Sequence, residues 1–520
     1  MTKTTTVDRP TGSVGLTLRL LGVIERVGNR LPHPFWLFVI LSGVLMVLSW
    51  GLHGLDVSAT SPADGKAVDV KSLLSGDGLT MMLDGLIDNY ATFPPLGVVL
   101  VVMLGVAVAD KAGLLTAVLR AALAKVPTRA VTFMIAFTGM VAHVASDAAY
   151  VVMIPLGAIA YRSIGRSPVL GAVIAYISIS AGHAASPLVT PSDATLAALT
   201  EAAAHTIDHG YTVTPVANYY FSLVSSVVLS LVVTVLAETL LSRRMKMITD
   251  ADGSADGDDG TEELPDLSLT TVERRGLRAA AGVTAVLIAA ITLAALPAGS
   301  PLRGEHGAVI DSPLVHNIAV FLSLLFFASG VAYGRVVGTV RRAKDIPGVM
   351  AQGISELSPV LVLFFAISQF LAYFKWTGIG EVMAIHGAEL LDSSGVPLPL
   401  VLVGVILVVS VMNLALTSGS AMWALIGPVF VPMLMLLRVA PETTWALFRI
   451  ADSCTNAITP MSPYFLLCLG FVRRYRPQAG IGTLISLTLP VALSMLVIWT
   501  ALYLAWFAVG LPFGPGAPGR

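Results

Sequence analysis

The apolar sequence is interrupted at Ser186-Pro-Leu-Val-Thr-Pro-Ser-Asp193 and again, at a corresponding place in its second half, at Ile458-Thr-Pro-Met-Ser-Pro463. Two further interruptions precede these, at Ser146-Asp-Ala-Ala-Tyr-Val-Val-Met-Ile-Pro155 and at Ser418-Gly-Ser-Ala-Met-Trp-Ala-Leu-Ile-Gly-Pro428. Proline lacks a backbone donor and clashes with the preceding turn, so each segment is expected to disrupt a helix. Helix breaks that recur in both halves of an apolar chain are typical of a transporter binding site.

Composition predicts a membrane protein. Of the 520 residues, 55% are hydrophobic and 12% are charged, and many apolar runs reach the roughly 18–20 residues that cross a bilayer core. The sequence does not alternate as a β-barrel does, so the predicted fold class is an all-α polytopic membrane protein. The net charge of −1 gives no indication of a nucleic-acid partner, and Cys454 and Cys468 lie in apolar segments that suggest neither a disulfide nor a metal site. The first 13 residues are polar, so no cleavable signal peptide is expected.

Basic residues set the predicted orientation of the first half, because short loops rich in Lys and Arg stay in the cytoplasm. Residues 1–35 are predicted to form a cytoplasmic N-terminus with an amphipathic helix at 14–30 that lies on the membrane surface. The first membrane half covers residues 36–247. Its continuous spans are placed at about 36–52, 95–109 and 213–241, with an acidic outer loop between the first two.

Two re-entrant hairpins and two broken helices complete the predicted architecture. The stretch 130–161 begins and ends beside basic segments, so its break at Ser146-Asp147 makes it a hairpin that enters from the cytoplasm, whereas the hairpin at 397–438 enters from outside. An acidic cytoplasmic linker at 248–275 precedes the second membrane half, 276–520. The remaining spans are the broken helices at 168–206 and 442–472 and continuous helices at about 276–297, 315–334, 355–373 and 480–508. The prediction is therefore an inverted repeat of nine transmembrane helices and two hairpins of opposite entry.

Four ionisable residues fall within apolar stretches: Asp147, Asp193, Arg449 and Asp452. Each would cost about 2.5–3.5 kcal/mol at mid-membrane if it were unpaired, so they are expected to face a cavity or one another. Arg449 and Asp452 lie three residues apart and can share a helix face. They form either a structural ion pair or a functional site in which Arg449 offers a forked donor to a substrate carboxylate while Asp452 faces a cation or a proton.

The hairpin tips and the first break leave similar alternatives. Asp193 either caps the half-helix that follows it or contributes to the site, and the same alternatives hold for Asp147. At the second tip, Ser418 and Ser420 are neutral. Backbone N–H groups at such a half-helix start suit an anion, while carbonyl and hydroxyl oxygens suit Na⁺. Asn413, just before this tip, is a candidate oxygen donor for the cation.

Aromatic residues and histidines near the breaks have both structural and functional interpretations. Trp423 either packs as an ordinary membrane tryptophan or stacks on an aromatic substrate. His143 and His183 are expected to be structural, with a proton-carrying role as the alternative. Pro191 and Pro460 disrupt helices in either case.

Three long motifs carry a family resemblance: Gly182–Thr195, Asn413–Pro428 and Arg449–Pro463. They resemble the signatures of the aminobenzoyl-glutamate transporter (AbgT) family, and the resemblance covers nearly the whole chain. It implies a bowl-shaped homodimer in the bacterial inner membrane, in contact with lipid, with nine spans and two hairpins per protomer. It also implies ion-driven transport of a small molecule, either p-aminobenzoyl-glutamate or folate-pathway antimetabolites such as sulfonamides, with no cofactor other than a coupling cation, Na⁺ or H⁺.

The resemblance also implies roles for individual residues. The cation-site candidates are Asn413 and Asp452, to which the hydroxyl of Ser418 and the carboxylate of Asp147 are added. Trp423 is expected to meet the substrate ring and Arg449 its carboxylate. The full set of implied substrate-binding residues is Asp193, Ser420, Trp423, Arg449, Asp452 and Pro460.

Other functions remain as alternatives at this point. A transporter for small dicarboxylates has the same general layout, and the direction of transport is open. An intramembrane protease is disfavoured because the sequence contains no His-Glu-x-x-His and its Asp residues are not in a Gly-x-Gly-Asp setting. A passive channel is disfavoured because paired inverted breaks suit alternating access, in which the hairpins and broken helices carry the site past a fixed dimer scaffold.

Overall fold

A computed structural model describes residues 32–60, 67–123, 126–145, 148–243, 268–297, 299–304, 307 and 312–519. Three predicted features lie outside these residues: the amphipathic helix at 14–30, the hairpin tip Ser146-Asp147, and most of the acidic linker at 248–275. The predictions for these segments, including the cation-site role of Asp147, therefore stay predictions.

Helices make up almost all of the described chain, together with one small antiparallel pair of strands, β1 (Ser58–Thr60) and β2 (Ala67–Asp69). The helices of the first half are α1 (Pro34–Gly54), α2 (Gly76–Ala91), α3 (Pro94–Lys111), α4 (Leu114–Leu123), α5 (Val131–Val141), α6 (Ala148–Arg162), α7 (Pro168–Ser180), α8 (Pro191–Ala204) and α9 (Tyr219–Leu236). Those of the second half are α10 (Thr271–Ala295), α11 (Ile318–Val337), α12 (Ile346–Glu356), α13 (Ser358–Trp376), α14 (Ile379–Ser393), α15 (Leu398–Asn413), α16 (Gly419–Leu436), α17 (Pro441–Asn456), α18 (Pro463–Tyr475) and α19 (Ile481–Val509).

Nine helical segments of the described residues are long and apolar enough to cross a membrane. This number equals the predicted nine, but the nine segments are not the same ones that were predicted. Thr128–Ala145 and Gly419–Leu436, which are arms of the two predicted hairpins, are among the nine. The predicted spans at 168–206 and 442–472 are not, because the breaks divide each of them into two shorter helices. The described part of each predicted hairpin is likewise a helix pair, α5 with α6 and α15 with α16, and re-entry of these pairs from one face stays a prediction.

The predicted outer loop between the first two spans is more structured than its acidic sequence suggests. Helix α2 occupies much of it, and the Ser75 hydroxyl caps this helix by accepting a hydrogen bond from the backbone N–H of Gly78 at 3.0 Å. The acidic residues Asp77, Asp84 and Asp88 are all exposed along α2. The acidic residues predicted only that this segment lies outside, and an exposed helix face accommodates them, so the expected loop is in part a helix.

The two halves repeat the same order of elements. Helix α3 is followed by Gly113 and the short helix α4, and α13 is followed by Gly378 and the short helix α14. Both glycines have left-handed backbone conformations, with φ of 87° and 72°. A side chain would strain the backbone there, so each glycine permits the chain to turn sharply out of a long helix. Sequence reasoning predicted neither α4 nor α14.

Two packed groups of helices result. The bent-helix group comprises α1–α3 and α10–α13: α3 packs on α11 and α12, and symmetrically α13 packs on α1 and α2. The broken-helix group comprises α5–α9 and α15–α19, in which α8 packs on α16 and α17. Helix α17 is buried along almost its whole length, from Pro441 to Thr455. Helix α8 also packs on α3, so the two groups meet along these two helices, while the short helices α4 and α14, which belong to neither group, pack on α5 and α16.

Candidate functional site

The breaks in α7–α8 and α17–α18 lie against each other. The backbone N–H of Ala184, in the first break, donates a hydrogen bond to Ser453 Oγ at 3.0 Å, and the Tyr176 hydroxyl donates to the Asn456 carbonyl at 3.4 Å. The Thr459 hydroxyl, in the second break, donates to the Leu414 carbonyl at 2.8 Å. Broken backbone in a membrane requires partners for its freed polar groups, and here residues of neighbouring elements supply them.

Arg449 joins the two halves at this point. Its Nε and Nη2 atoms donate to the Ala184 carbonyl at 3.2 and 2.6 Å, and its Nη1 lies 2.7 Å from Asp193 Oδ1. The guanidinium also lies over the Trp445 ring, 4.9 Å from its centroid. Among the described residues, the ion pair of Arg449 is therefore with Asp193 and not with Asp452. The structural pair within α17 that the spacing allowed is not formed, because the guanidinium reaches across to the first break, where a free carbonyl and a carboxylate are both available.

Asp193 uses its two carboxylate oxygens for two tasks. Its Oδ2 accepts hydrogen bonds from the backbone N–H and the hydroxyl of Thr190 at 2.7 and 2.8 Å, and its own N–H donates to Thr190 Oγ1 at 3.3 Å. This reciprocal arrangement is a capping box at the start of α8. Since Oδ1 binds Arg449, the residue both caps α8 and fixes α8 to α17.

Trp423 provides a second connection to α8. Its indole Nε1 donates to Thr200 Oγ1 at 2.9 Å, and its ring packs on Phe448 with centroids 4.6 Å apart. The side chain is buried, as is Pro460 in the second break. The stacking of Trp423 on a substrate and the substrate-binding role of Pro460 stay predictions.

A cavity of about 730 Å³ opens where the breaks meet. Both halves line it: Pro191, Ser192 and Thr195 contribute from α8, and α3 and α12 of the bent-helix group form the opposite wall. Of the predicted residues, Ser418, Ser420 and Asp452 line this cavity. The other described candidates, Asp193, Asn413, Trp423, Arg449 and Pro460, are not among its lining residues.

Two aromatic residues in the lining were missed by sequence reasoning. Tyr150, near the start of α6, and Tyr464, at the start of α18, stack face to face with centroids 3.9 Å apart and an interplanar angle of 5°. Each tyrosine follows a break by only a few residues, which is the sequence signal that could have identified them. Their contact connects the first predicted hairpin to the second broken helix.

Charged residues of the bent-helix group were missed as well. Lys111 Nζ lies 2.6 Å from Glu356 Oε1 and 3.3 Å from Asp110 Oδ2, and all three residues line the cavity. They stand at the ends of α3 and α12, where sequence reasoning saw only the basic flank of a span. They make one end of the cavity strongly polar.

The two histidines form a pair. His143 Nε2 lies 2.7 Å from the Ile179 carbonyl and 3.0 Å from His183 Nδ1. A carbonyl can only accept, so His143 Nε2 carries the proton and His183 Nδ1 is an acceptor. This arrangement favours the structural interpretation of both residues over proton carriage in this conformation.

Asn413 and Asp452, the predicted ligands of a coupling cation, lie on two helices that pack together. Asn413 Nδ2 donates to the Asp452 carbonyl at 2.7 Å and to Thr455 Oγ1 at 2.8 Å. Because a carbonyl only accepts, the orientation of the amide is fixed and its oxygen points elsewhere. Within the described residues, neither the buried Asn413 Oδ1 nor the buried Asp452 Oδ1 accepts a hydrogen bond. Two buried oxygens without donors, on the neighbouring helices α15 and α17, fit the needs of Na⁺ or of a proton on the carboxylate.

A polytopic helical fold with paired breaks around a polar cavity defines a secondary membrane transporter. Comparison with known proteins gives the family. The AbgT transporter family model matches residues 19–520, and the chain belongs to this family. It is 38% identical over 499 residues to the p-aminobenzoyl-glutamate transport protein of Escherichia coli, covering 96% of each chain.

Two solved structures of the family have the same fold. The YdaH transporter of Alcanivorax borkumensis is 38% identical with a TM-score of 0.86, covering 93% of this chain and 100% of its own. MtrF of Neisseria gonorrhoeae, described as one of a class of antimetabolite efflux pumps, is 39% identical with a TM-score of 0.89, covering 96% and 100%. The protein is therefore a multi-pass membrane transporter and not an enzyme, and the protease alternative is wrong.

Proposed function

We propose that the protein is an ion-coupled secondary transporter of p-aminobenzoyl-glutamate and related aromatic carboxylates, and that it exports folate-pathway antimetabolites such as sulfonamides. The observation that carries this proposal is the cavity of about 730 Å³ at the junction of the two breaks, which combines aromatic, hydroxyl and charged walls. The names of the Escherichia coli and Neisseria relatives support the substrate class. Sulfonamides share an aminophenyl ring with p-aminobenzoyl compounds, so one cavity serves both.

The lining residues suit such a substrate. The ring meets the Tyr150–Tyr464 pair, which offers a flat aromatic surface, and the polar end meets the Ser418–Ser420 tip. Arg449 is engaged by Asp193 and Ala184 in this conformation. A substrate carboxylate binds Arg449 either at the two N–H groups that these partners leave or by replacing Asp193, and replacement of Asp193 couples substrate binding to a rearrangement of α8.

The coupling cation, Na⁺ or H⁺, binds at Asn413 and Asp452 in this proposal, with Ser418 and Asp147 as additional candidates. The supporting observation is the pair of buried oxygens, Asn413 Oδ1 and Asp452 Oδ1, that lack donors among the described residues. Asp452 also lines the cavity, so one residue belongs to both sites. Ion release and substrate movement are thereby linked through a single side chain.

The proposed setting is a homodimer in the bacterial inner membrane with a cytoplasmic N-terminus. The broken-helix group moves against the bent-helix group in an elevator-like or rocking motion. The division of the fold into these two groups, which meet mainly along α3 and α8, supports this motion.

Transport in proteoliposomes tests the function. Purified protein is reconstituted, and flux of radiolabelled p-aminobenzoyl-glutamate and of a sulfonamide is measured under imposed Na⁺ or pH gradients. Asp452→Asn is expected to lower gradient-driven flux at least about tenfold, because it removes the charge that holds the cation. The matched control is Asp392→Asn, which makes the same change at an exposed position at the end of α14.

Three kinds of result would contradict the proposal. If neither compound moves under any gradient, or if succinate moves faster than both, the substrate assignment is wrong. If flux proceeds equally well without a gradient of either cation, the coupling is wrong. Ser420→Cys accessibility that never changes with gradient or substrate would contradict the moving-group mechanism.

A further inference from the structure

A second, smaller cavity of about 270 Å³ lies beside the first turns of α3. Pro94 and Val98, in the first turns of α3, line this small cavity, whereas Lys111, at the other end of the same helix, lines the large one. Helix α3 has 18 residues and is therefore about 27 Å long. His316 and Ala319, around the start of α11, complete the wall with the loop at 212–215. The large cavity is lined by α3 from Val99 to Lys111, so it extends from beside the small cavity to the other end of this helix.

Helix α8 separates the two cavities. Ser192 and Thr195 line the large cavity, and Ala194, Ala198 and Glu201 line the small one. With 3.6 residues per turn, these two sets fall on different sides of the helix, and the second lies further along its axis. One helix therefore forms a wall of both cavities.

A third side of α8 is held by the second half of the chain. Asp193 binds Arg449 at 2.7 Å, and Thr200 accepts a hydrogen bond from Trp423 at 2.9 Å. Asp193 and Thr200 are seven residues apart, which is two helical turns, so they share one face. These bonds hold the partition between the cavities in its present position.

The distribution of basic residues predicts on which side of the membrane each cavity lies. Lys111, at the large cavity, begins the basic segment that is predicted to be cytoplasmic. The small cavity is lined by helix starts and by a loop that are predicted to lie outside. That loop is tied down by Tyr211, whose hydroxyl donates to Glu442 at 2.8 Å, and burial together with Glu442 raises the pKa of Tyr211, so the donor keeps its proton.

We propose that the small cavity is a second substrate station on the outer side, which becomes continuous with the large cavity when α8 shifts. This inference rests on the proposed function, because the small cavity would bind the aminophenyl end of the same substrate. Its walls combine small apolar side chains with the polar Thr212, Thr214 and His316 and with Glu201, whose Oε2 accepts from the Val213 N–H at 2.8 Å. A carboxylate has about four acceptor sites, so Glu201 has capacity left for an arylamine N–H.

Sided thiol labelling tests the location of the station. Ser192→Cys and Ala198→Cys are made separately, and a membrane-impermeant maleimide is applied to intact cells or to inverted vesicles. The native Cys454 and Cys468 are buried and line neither cavity, so the parent protein is the control for background labelling. We expect Ala198→Cys to react at least about tenfold faster from outside and Ser192→Cys at least about tenfold faster from inside. Equal reaction of both from the inside, or no reaction of Ala198→Cys from either side in any gradient, would overturn the proposal.

Protection experiments test the ligand class. p-Aminobenzoyl-glutamate added outside is expected to slow labelling of Ala198→Cys, and benzoyl-glutamate, which lacks the amine, to slow it less. Glu201→Gln in the same background is expected to remove that difference. If neither compound protects Ala198→Cys while both protect Ser192→Cys from inside, the small cavity is not a substrate station.

Filling the cavity separates this proposal from the proposed function. Ala198→Leu is expected to lower flux at least about tenfold while substrate still binds from inside, as measured by protection of Ser192→Cys. Ala290→Leu, the same change at an exposed position of α10, is the control. Normal flux in Ala198→Leu would overturn the station. If the parent protein shows no flux at all, the proposed function fails, and the sided labelling still decides the location of the cavity.

Discussion

At the residue scale, the central contact is the ion pair between Arg449 and Asp193, because it is buried and joins the two halves. The two side chains are 4% and 8% exposed, so neither charge can be satisfied by solvent if the other is lost. A buried pair costs much to desolvate, and its presence is weak evidence for net stability. The pair is better understood as a specific connection that substrate or cation binding can exchange.

Removing one partner of this pair should be costly. Asp193→Asn is expected to lower the free energy of unfolding by about 3–5 kcal/mol, because it leaves the guanidinium of Arg449 buried without a counter-charge. The double variant Asp193→Asn with Arg449→Gln should lose less than the sum of the two single variants. The measurement is unfolding of detergent-solubilised protein followed by Trp fluorescence.

The control for this cycle is Glu389→Gln, which breaks the exposed pair with His386 and should change stability by no more than about 0.5 kcal/mol. Strict additivity of the Asp193 and Arg449 variants would show that the two side chains do not interact in solution.

Sequence reasoning identified both members of this pair but not their pairing. The cost of charges in an apolar stretch identified Asp193, Arg449 and Asp452, and helix periodicity suggested that the last two share a face. Periodicity carries no information across the two halves, so the reach of Arg449 to Ala184 and Asp193 could not be predicted. The Tyr150–Tyr464 stack was missed for the same reason, since its partners come from different halves.

At the element scale, the start of α8 is a wall of the cavity and depends on its cap. Thr190→Ala removes the hydroxyl of the capping box and is expected to cost about 1–2 kcal/mol of stability, with a clear loss of transport because Ser192 and Thr195 shift with the first turn of α8. Thermal unfolding and proteoliposome flux are both measured.

Thr270→Ala offers a matched control, because Thr270 forms the same capping box with Glu273 at the start of α10. It should destabilise to a similar degree and leave flux unchanged. Equal loss of flux in the two variants would mean that transport responds to overall stability and not to the position of α8.

Strong local signals made some elements predictable. The proline-rich breaks and long apolar runs located the helices of both predicted hairpins and of both broken segments to within a few residues. The short helices α4 and α14 were missed because 10 and 15 residues are too few to be identified as membrane spans. The structure shows that these two helices correspond to each other in the two halves, because each follows a glycine with a positive φ.

At the scale of the whole molecule, the proposed alternating access requires the broken-helix group to move against the bent-helix group. Helices α3 and α8 form the main contact between these groups, and both line the large cavity. Contacts inside the bent-helix group differ in kind: the Thr284 and Ser329 hydroxyls, on α10 and α11, lie 2.7 Å apart within one packed unit. The two kinds of contact should respond differently to covalent locking.

A reducible cross-link between the groups should stop transport. In the double variant Met103→Cys with Thr195→Cys, one residue lies on α3 and the other on α8, and both line the large cavity. A short bifunctional thiol reagent is expected to lower flux at least about tenfold, and reduction should restore it, because the lock prevents α8 from moving past α3. The same variant before cross-linking provides the reference.

Thr284→Cys with Ser329→Cys is the control, in which an equally complete cross-link should leave flux unchanged, since it joins helices that move together. Undiminished flux with the α3–α8 link fully formed would show that the cavity changes its access without relative motion of the two groups.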